Sequence, residues 1–323
     1  MRAAIVGAGR MGRWHAAAAR RAGADVLAVV DPDVKAAHRL ASRCGAATRV
    51  FDDLARCLSS VAPDAVHVCT PLEVHGVQIA SALEHGAHVL AEKPLAPSLA
   101  ETKALLDAAH GAGRLVVPVH QFPFQPGVRR VLAERGRLGE LVRVAYRTST
   151  AGGAGRDAAG RRELLAEIAP HVASLFLAFA PGTDVDALDV TATGEDVAVH
   201  GLAGATHLHA FVTARGRPPR NELEVVGTRS SAYADLFHGF AVVDRGSDSG
   251  RGKAARPLRL AAASGLAALV NGSKRAATLE LAYPGLRELV AGFYAAVRGE
   301  GPPPVGEHEL LAAARLADRV RRG

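Results

Sequence analysis

The chain has 323 residues, 49% hydrophobic and 4% aromatic, with a formal charge of +7. That length calls for two domains, and scattered arginines with only five lysines and few rings to stack on bases argue against a nucleic-acid partner. No apolar run is long enough to span a bilayer, no leader pattern precedes the first strand, and three cysteines lack disulfide or CxxC spacing, so the expectation is a reduced, cytoplasmic protein with no membrane partner and no metal.

Up to residue 119, short β-branched runs alternate with alanine-rich helical stretches. The strand candidates are RAAIVG, DVLAVVD, ATRVF, AVHVCT, HVLAE and RLVVPV. Runs that are apolar throughout and separated by amphipathic helices predict a parallel sheet covered on both faces. Beyond residue 120 the texture changes. RVLAERGRLG and ELLAEIAPHVASLFLAF read as helices, and ALDVTATG, DVAVHGLA, THLHAFVTA, NELEVVGT and SAYADLF alternate in part between glycine turns. That succession predicts a mainly antiparallel sheet with one helical face. Residues 245–257, RGSDSGRGKAARP, read as a polar, mobile loop. Two helices, GLRELVAGFYAAVRG and EHELLAAARLADRVRR, close the chain. The fold class is therefore α/β, with an N-terminal domain over 1–119 and an α+β domain over 120–323, the last helices being free to pack back on the first domain.

Gly7-Ala8-Gly9-Arg10-Met11-Gly12 follows a strand and opens a helix, the context in which GxGxxG binds a dinucleotide. Gly7 permits the tight turn, Gly9 lets the backbone approach a pyrophosphate, and Gly12 lets the helix lie close on the strand. The N–H groups at the helix start then face the phosphates, with Arg10 and Met11 beside them. Asp31, about twenty residues on, can accept both ribose hydroxyls and repel a 2′-phosphate, which favours NAD over NADP. Arg10 partly offsets that repulsion, so NADP stays possible.

Ligands of an open parallel sheet sit beyond the carboxyl ends of its strands. Glu92-Lys93-Pro94 stands just past HVLA, so Lys93 projects at that edge, and the following proline forbids a helical conformation there. Thr70-Pro71 ends the neighbouring strand at the same edge, with backbone contacts to the cofactor in reach. His75, one turn into the next helix, reads as a helix-start or supporting residue at the cofactor site. Glu167 and His171 are four apart on one helical face, though Pro170 between them predicts a kink or a fresh start. A carboxylate and an imidazole converging on one pocket can share proton transfer. His200, His207 and His209 lack metal-site spacing.

These stretches, GAGRMGRWHA, VVDPD, TPLEVH, AEKPLA and LLAEIAPHVASL, resemble the glucose–fructose oxidoreductase, inositol dehydrogenase and MocA family. The resemblance spans both domains, and Glu-Lys-Pro at this distance from the glycine turn is its specific signal. It implies an N-terminal Rossmann domain and a C-terminal domain whose open sheet often forms the interface of a homodimer or homotetramer. By that likeness Lys93 contacts substrate and nicotinamide ribose, and His171 matches the acid/base histidine of an Asp-x-x-x-His motif. Glu167 stands where the family mostly has Asp, and Ser174 where a second Asp is common. Gln121 and Pro123 stand near the usual Asn and Arg, making His120 and Gln121 candidate substrate contacts. The implied activity is NAD(P)-dependent oxidation or reduction of a sugar, amino sugar or cyclic polyol. Two alternatives stand beside it: glycoside cleavage with retained NAD, and a non-catalytic, cofactor-sensing regulator.

Overall fold

The computed structural model describes residues 1–246, 249–278 and 282–323. The chain divides into two compact units, Met1–His120 with Leu286–Ala314, and Gln121–Gly285 with Arg315–Gly323.

The first unit alternates strands and helices: β1 (Arg2–Val6), α1 (Arg10–Arg21), β2 (Asp25–Val30), α2 (Val34–Cys44), β3 (Arg49–Phe51), α3 (Leu54–Val61), β4 (Ala65–Val68), α4 (His75–Glu84), β5 (His88–Ala91), α5 (Leu99–Gly111) and β6 (Val116–Pro118). All strand pairs are parallel, in the order β3-β2-β1-β4-β5-β6. This is the doubly wound Rossmann order, whose direction reverses beside β1. Ala3, Ala4, Ile5, Ala65, Val66, Val89 and Leu90 are fully buried, because the central strands have helices on both faces. Each loop leaving the sheet is pinned to a neighbouring strand: Gly7 N–H to Val30, Cys69 N–H to Val6, and Glu92 N–H to Val68. The strand ends therefore form one fixed edge.

The second unit opens with α6 (Pro126–Ala133), α7 (Arg135–Leu138), β7 (Leu141–Ser149) and α8 (Ala158–Phe179). Then follow β8 (Asp189–Ala192), β9 (Asp196–Ala203), β10 (Thr206–Thr213), β11 (Arg220–Gly227), β12 (Ser231–Asp235), β13 (Phe240–Asp244) and α9 (Gly250–Ala277). The sheet order is β13-β12-β11-β7-β10-β9-β8, and only β7 and β10 pair in parallel. Helix α8 packs on β7 and β10, and α6 on β12 and β13. Along β10 the residues between the buried Leu208, Ala210 and Val212 are exposed, so the opposite face is open. Two strands escape the sequence reading, β7 and β13. Each follows a glycine at positive φ, Gly139 before β7 and Gly239 between β12 and β13.

The loop expected over 245–257 is overturned in its described part, from residue 250 on. Residues 250–257, read as mobile loop, form the first turns of α9. Ser249 caps the helix by accepting from the Gly252 N–H at 3.0 Å, and Arg256 reaches back to Asp244 on β13 at 2.6 Å. Glycines at 250 and 252 concealed this start, since a capped helix tolerates them in its first turn. Ser247 and Asp248 lie outside the described residues. Helix α10 (Leu286–Val297) packs on α1 and β5, and α11 (Glu307–Arg322) ends the chain.

Candidate active site

The glycine turn has the shape its sequence demands. Gly7 sits at φ +96°, and a Cβ there would stand 2.6 Å from the Cys69 carbonyl oxygen. A Cβ on Gly12 would lie 1.8 Å from the Gly7 carbonyl, so only hydrogen lets α1 approach β1 this closely. Gly9 differs: a Cβ there would meet nothing within 4 Å, which leaves the turn open on the side a pyrophosphate approaches. Helix α1 starts without a side-chain cap or an acidic residue in its first turn, so its first N–H groups are available to an anion. Asp31, at the end of β2, accepts from Ala8 N–H at 2.6 Å and from Asp33 N–H at 2.8 Å. Those bonds hold the carboxylate at the turn, and each oxygen keeps a lone pair for a ribose hydroxyl. Arg10 is exposed and Met11 half-buried at the mouth. These residues fit a bound NAD.

Lys93 stands at the same edge, half-buried, and its bond to Pro94 is cis. Thr70 donates its hydroxyl to Gln78 Oε1 at 2.6 Å, while Pro71 caps the short turn leading to α4. The buried His75 ring places Nδ1 3.0 Å from the Pro94 carbonyl and Nε2 2.9 Å from the Thr70 carbonyl. It is a clasp between the two corner loops.

Glu92 ends a buried hydrogen-bond chain that sequence reasoning missed. Tyr294 on α10 lies 2.7 Å from His67 Nε2, His67 Nδ1 lies 3.0 Å from His15 Nδ1, and His15 Nε2 lies 3.1 Å from Glu92 Oε1. One assignment satisfies every atom. The Tyr294 hydroxyl donates to Nε2 of His67, whose Nδ1–H donates to His15, whose Nε2–H donates to the Glu92 carboxylate. Every donor points toward Glu92, so successive bonds polarise one another. Burial, aided by the neighbouring His15, holds His67 well below its ordinary pKa. Burial alone would raise the Glu92 pKa, but the His15 hydrogen bond and the Lys93 charge outweigh it and keep the carboxylate ionised. Burial and the Glu92 charge push the Cys69 thiol well up, so it is no nucleophile. Two members carried a local signal: Glu92 in Glu-Lys-Pro, and His15 three residues after Gly12. Nothing in the sequence links residues 67 and 294.

In the second unit, Glu167 is half-buried and His171 buried, one turn apart on α8. Of the kink or fresh start expected at Pro170, the fresh start does not occur: the helix is continuous from Ala158 to Phe179. Burial on the sheet holds it, although proline gives no N–H to the carbonyl four residues back. The His171 ring stacks on Phe122, centroids 3.9 Å apart and planes 13° from parallel, which fixes its orientation. Ser174 turns back to donate to the His171 carbonyl at 3.1 Å. The neighbours His120 and Gln121 part company: His120 belongs to the first unit, with Nδ1 3.2 Å from Glu309, and Gln121 opens the 3₁₀ turn that carries Phe122 in the second. His200, His207 and His209 lie on β9 and β10, and no three candidate ligands cluster among the described residues.

Residues 1–120 match the model of an oxidoreductase family with an NAD-binding Rossmann fold, GFO_IDH_MocA. The match lies within the Rossmann unit and covers just over a third of the chain. Two curated relatives resemble it. D-glucoside 3-dehydrogenase of Escherichia coli is 34% identical over 44% of this chain and 41% of that enzyme. Inositol 2-dehydrogenase 4 of Saccharopolyspora erythraea is 35% identical over 47% of this chain and 46% of that enzyme. The matched region thus spans under half the length of either relative. The likeness in fold to solved dehydrogenases reaches further. The WlbA dehydrogenase of Bordetella pertussis, solved with NADH and UDP-GlcNAcA, aligns over 100% of this chain and 95% of its own at TM-score 0.77 and 18% identity.

Proposed function

We propose that this chain is an NAD(P)-dependent oxidoreductase moving hydride between nicotinamide and a secondary alcohol, or its ketone, on a sugar, amino sugar or cyclic polyol. The observation that carries the reading is the Glu92–Lys93 corner. A buried chain of three side chains, Tyr294, His67 and His15, fixes the Glu92 carboxylate there, and the adjacent ammonium stands at the edge where the glycine turn opens. The curated relatives, named for glucoside and inositol dehydrogenation, support the substrate class.

When bound, the nicotinamide dinucleotide supplies the hydride acceptor or donor. The protein supplies position and proton traffic. Asp31 grips the adenosine ribose and disfavours a 2′-phosphate, so NAD is preferred. Lys93 hydrogen-bonds the reacting oxygen and stabilises its developing negative charge. His171, held flat by Phe122, takes the hydroxyl proton in oxidation and returns it in reduction. Glu167 orients that imidazole or grips a neighbouring hydroxyl. His120 and Gln121 remain candidate substrate contacts. The enzyme works as a cytoplasmic homodimer or homotetramer, which light scattering of the purified protein tests.

Screening sugars and inositols with NAD and NADP at the nicotinamide absorbance tests the reading. At least one polyol should give turnover, and Lys93→Ala should lower it by about 10²–10³ with NAD affinity little changed. Unchanged turnover in that variant would remove Lys93 from the mechanism.

A further inference from the structure

Helix α9 leaves its largest apolar side chains exposed on the side turned away from the domain. Not one of its 28 residues is buried. Its inward side is mixed: Leu260 and Ala267 are partly covered there, Arg256 binds Asp244 on β13, and Asn271 and Arg275 donate to the His238 carbonyl at 2.6 and 2.8 Å. Its outward side is apolar, with Leu258 77%, Leu266 64%, Leu269 71% and Val270 46% exposed. Leu258, Ala262, Leu266 and Leu269 follow the spacing of a single helical stripe. From Leu258 to Val270 the stripe extends about 18 Å along the helix.

Charge decides what covers it. The helix holds six cations and no carboxylate; Arg256 and Arg275 are engaged inward by the contacts above, and Arg251, Lys253, Arg259 and Lys274 remain exposed. They flank the uncharged stretch 260–273 on both ends. A second copy of α9 would bring cations against cations whether it ran parallel or antiparallel. An anionic surface meets both features at once, since leucines enter the boundary between headgroups and acyl chains while flanking arginines and lysines reach phosphates. No helix among the described residues is long and apolar enough to cross a membrane, so α9 lies along the surface. The expectation of no membrane partner rested on the lack of a spanning run, a different matter from this surface.

We infer that the outward face of α9 docks the protein on an anionic phospholipid bilayer. The inference is independent of the redox reading, because α9 contributes nothing to the cofactor turn or to the residues assigned to proton transfer. The test is co-sedimentation of the full chain with vesicles of mixed phosphatidylglycerol and phosphatidylcholine, and with phosphatidylcholine alone. Binding should require the anionic lipid and weaken as salt rises. The double change L266Q and L269Q, at exposed positions that leave the melting temperature unaltered, should weaken partitioning by about a hundredfold. R251Q with R259Q should weaken it by about twenty-fivefold. Three outcomes would overturn the inference: no sedimentation at low salt, equal binding to neutral vesicles, or full binding by the leucine variant. Concentration-dependent self-association without vesicles, abolished by L266Q and L269Q, would assign the face to a second copy instead.

Discussion

Replacing Tyr294 by Phe removes one oxygen and no packing volume of consequence, so it isolates the start of the buried chain. Both Tyr294 and His67 have 0% exposure, and water cannot take the place of the lost hydroxyl without opening the core. Nε2 of His67, now 2.7 Å from that oxygen, would become a buried acceptor without a donor. Leaving such an atom unsatisfied costs about 1–3 kcal/mol. Loss of polarisation along the two remaining bonds adds a fraction of one bond, roughly 10–30%. For a unit of this size the sum corresponds to a fall in melting temperature of roughly 5 °C. The assay is built in. The only tryptophan, Trp14, lies on α1 beside His15, so its fluorescence follows unfolding of the Rossmann unit in urea. The midpoint should fall with an unchanged slope. A midpoint within about 0.3 kcal/mol of the parent would show that Tyr294 does not donate to His67, and the assigned proton order would have to be abandoned.

Two of the turn glycines, Gly9 and Gly12, should respond in opposite ways. Gly12→Ala puts a Cβ 1.8 Å from a backbone oxygen and should destabilise the unit, whereas Gly9→Ala meets no protein atom within 4 Å and should keep the melting temperature while lowering NAD affinity about tenfold or more. Calorimetric titration separates these effects, and equal melting losses in both variants would contradict the geometry. Asp31→Asn keeps an acceptor for Ala8 N–H but removes the charge, so the NADP-to-NAD ratio of kcat/KM should rise about tenfold; an unaltered ratio would mean that the carboxylate does not select the cofactor. Because His67 stays neutral when folded while an ordinary histidine takes a proton near 6.5, protons favour the unfolded chain below that value. Its contribution is present above pH 6.5 and declines as pH falls, by about 1 kcal/mol over the first unit, in urea midpoints measured across that range. Glu92, whose pKa is lowered, adds to the loss only as pH falls through and below its ordinary 4.5.

Much of this molecule is written locally. The glycine turn, the alternation of apolar strands and alanine-rich helices, Asp31 at a strand end and Lys93 ahead of a proline are all short-range signals. Backbone sterics and periodic burial act within a few residues of chain, so spacing alone determines them. Tertiary structure decided the rest. It passed helix α8 unbroken through Pro170, because packing on the sheet outweighs one missing backbone bond. It paired β7 with β10 in parallel, a choice made by the path of the chain between them. It turned a stretch that reads as loop into the start of α9, with the apolar side facing outward. Above all it brought residues 15, 67, 92 and 294 into one buried chain. Hydrogen bonds form between atoms about 3 Å apart, however far apart those residues stand along the chain, and only the folded core sets that distance.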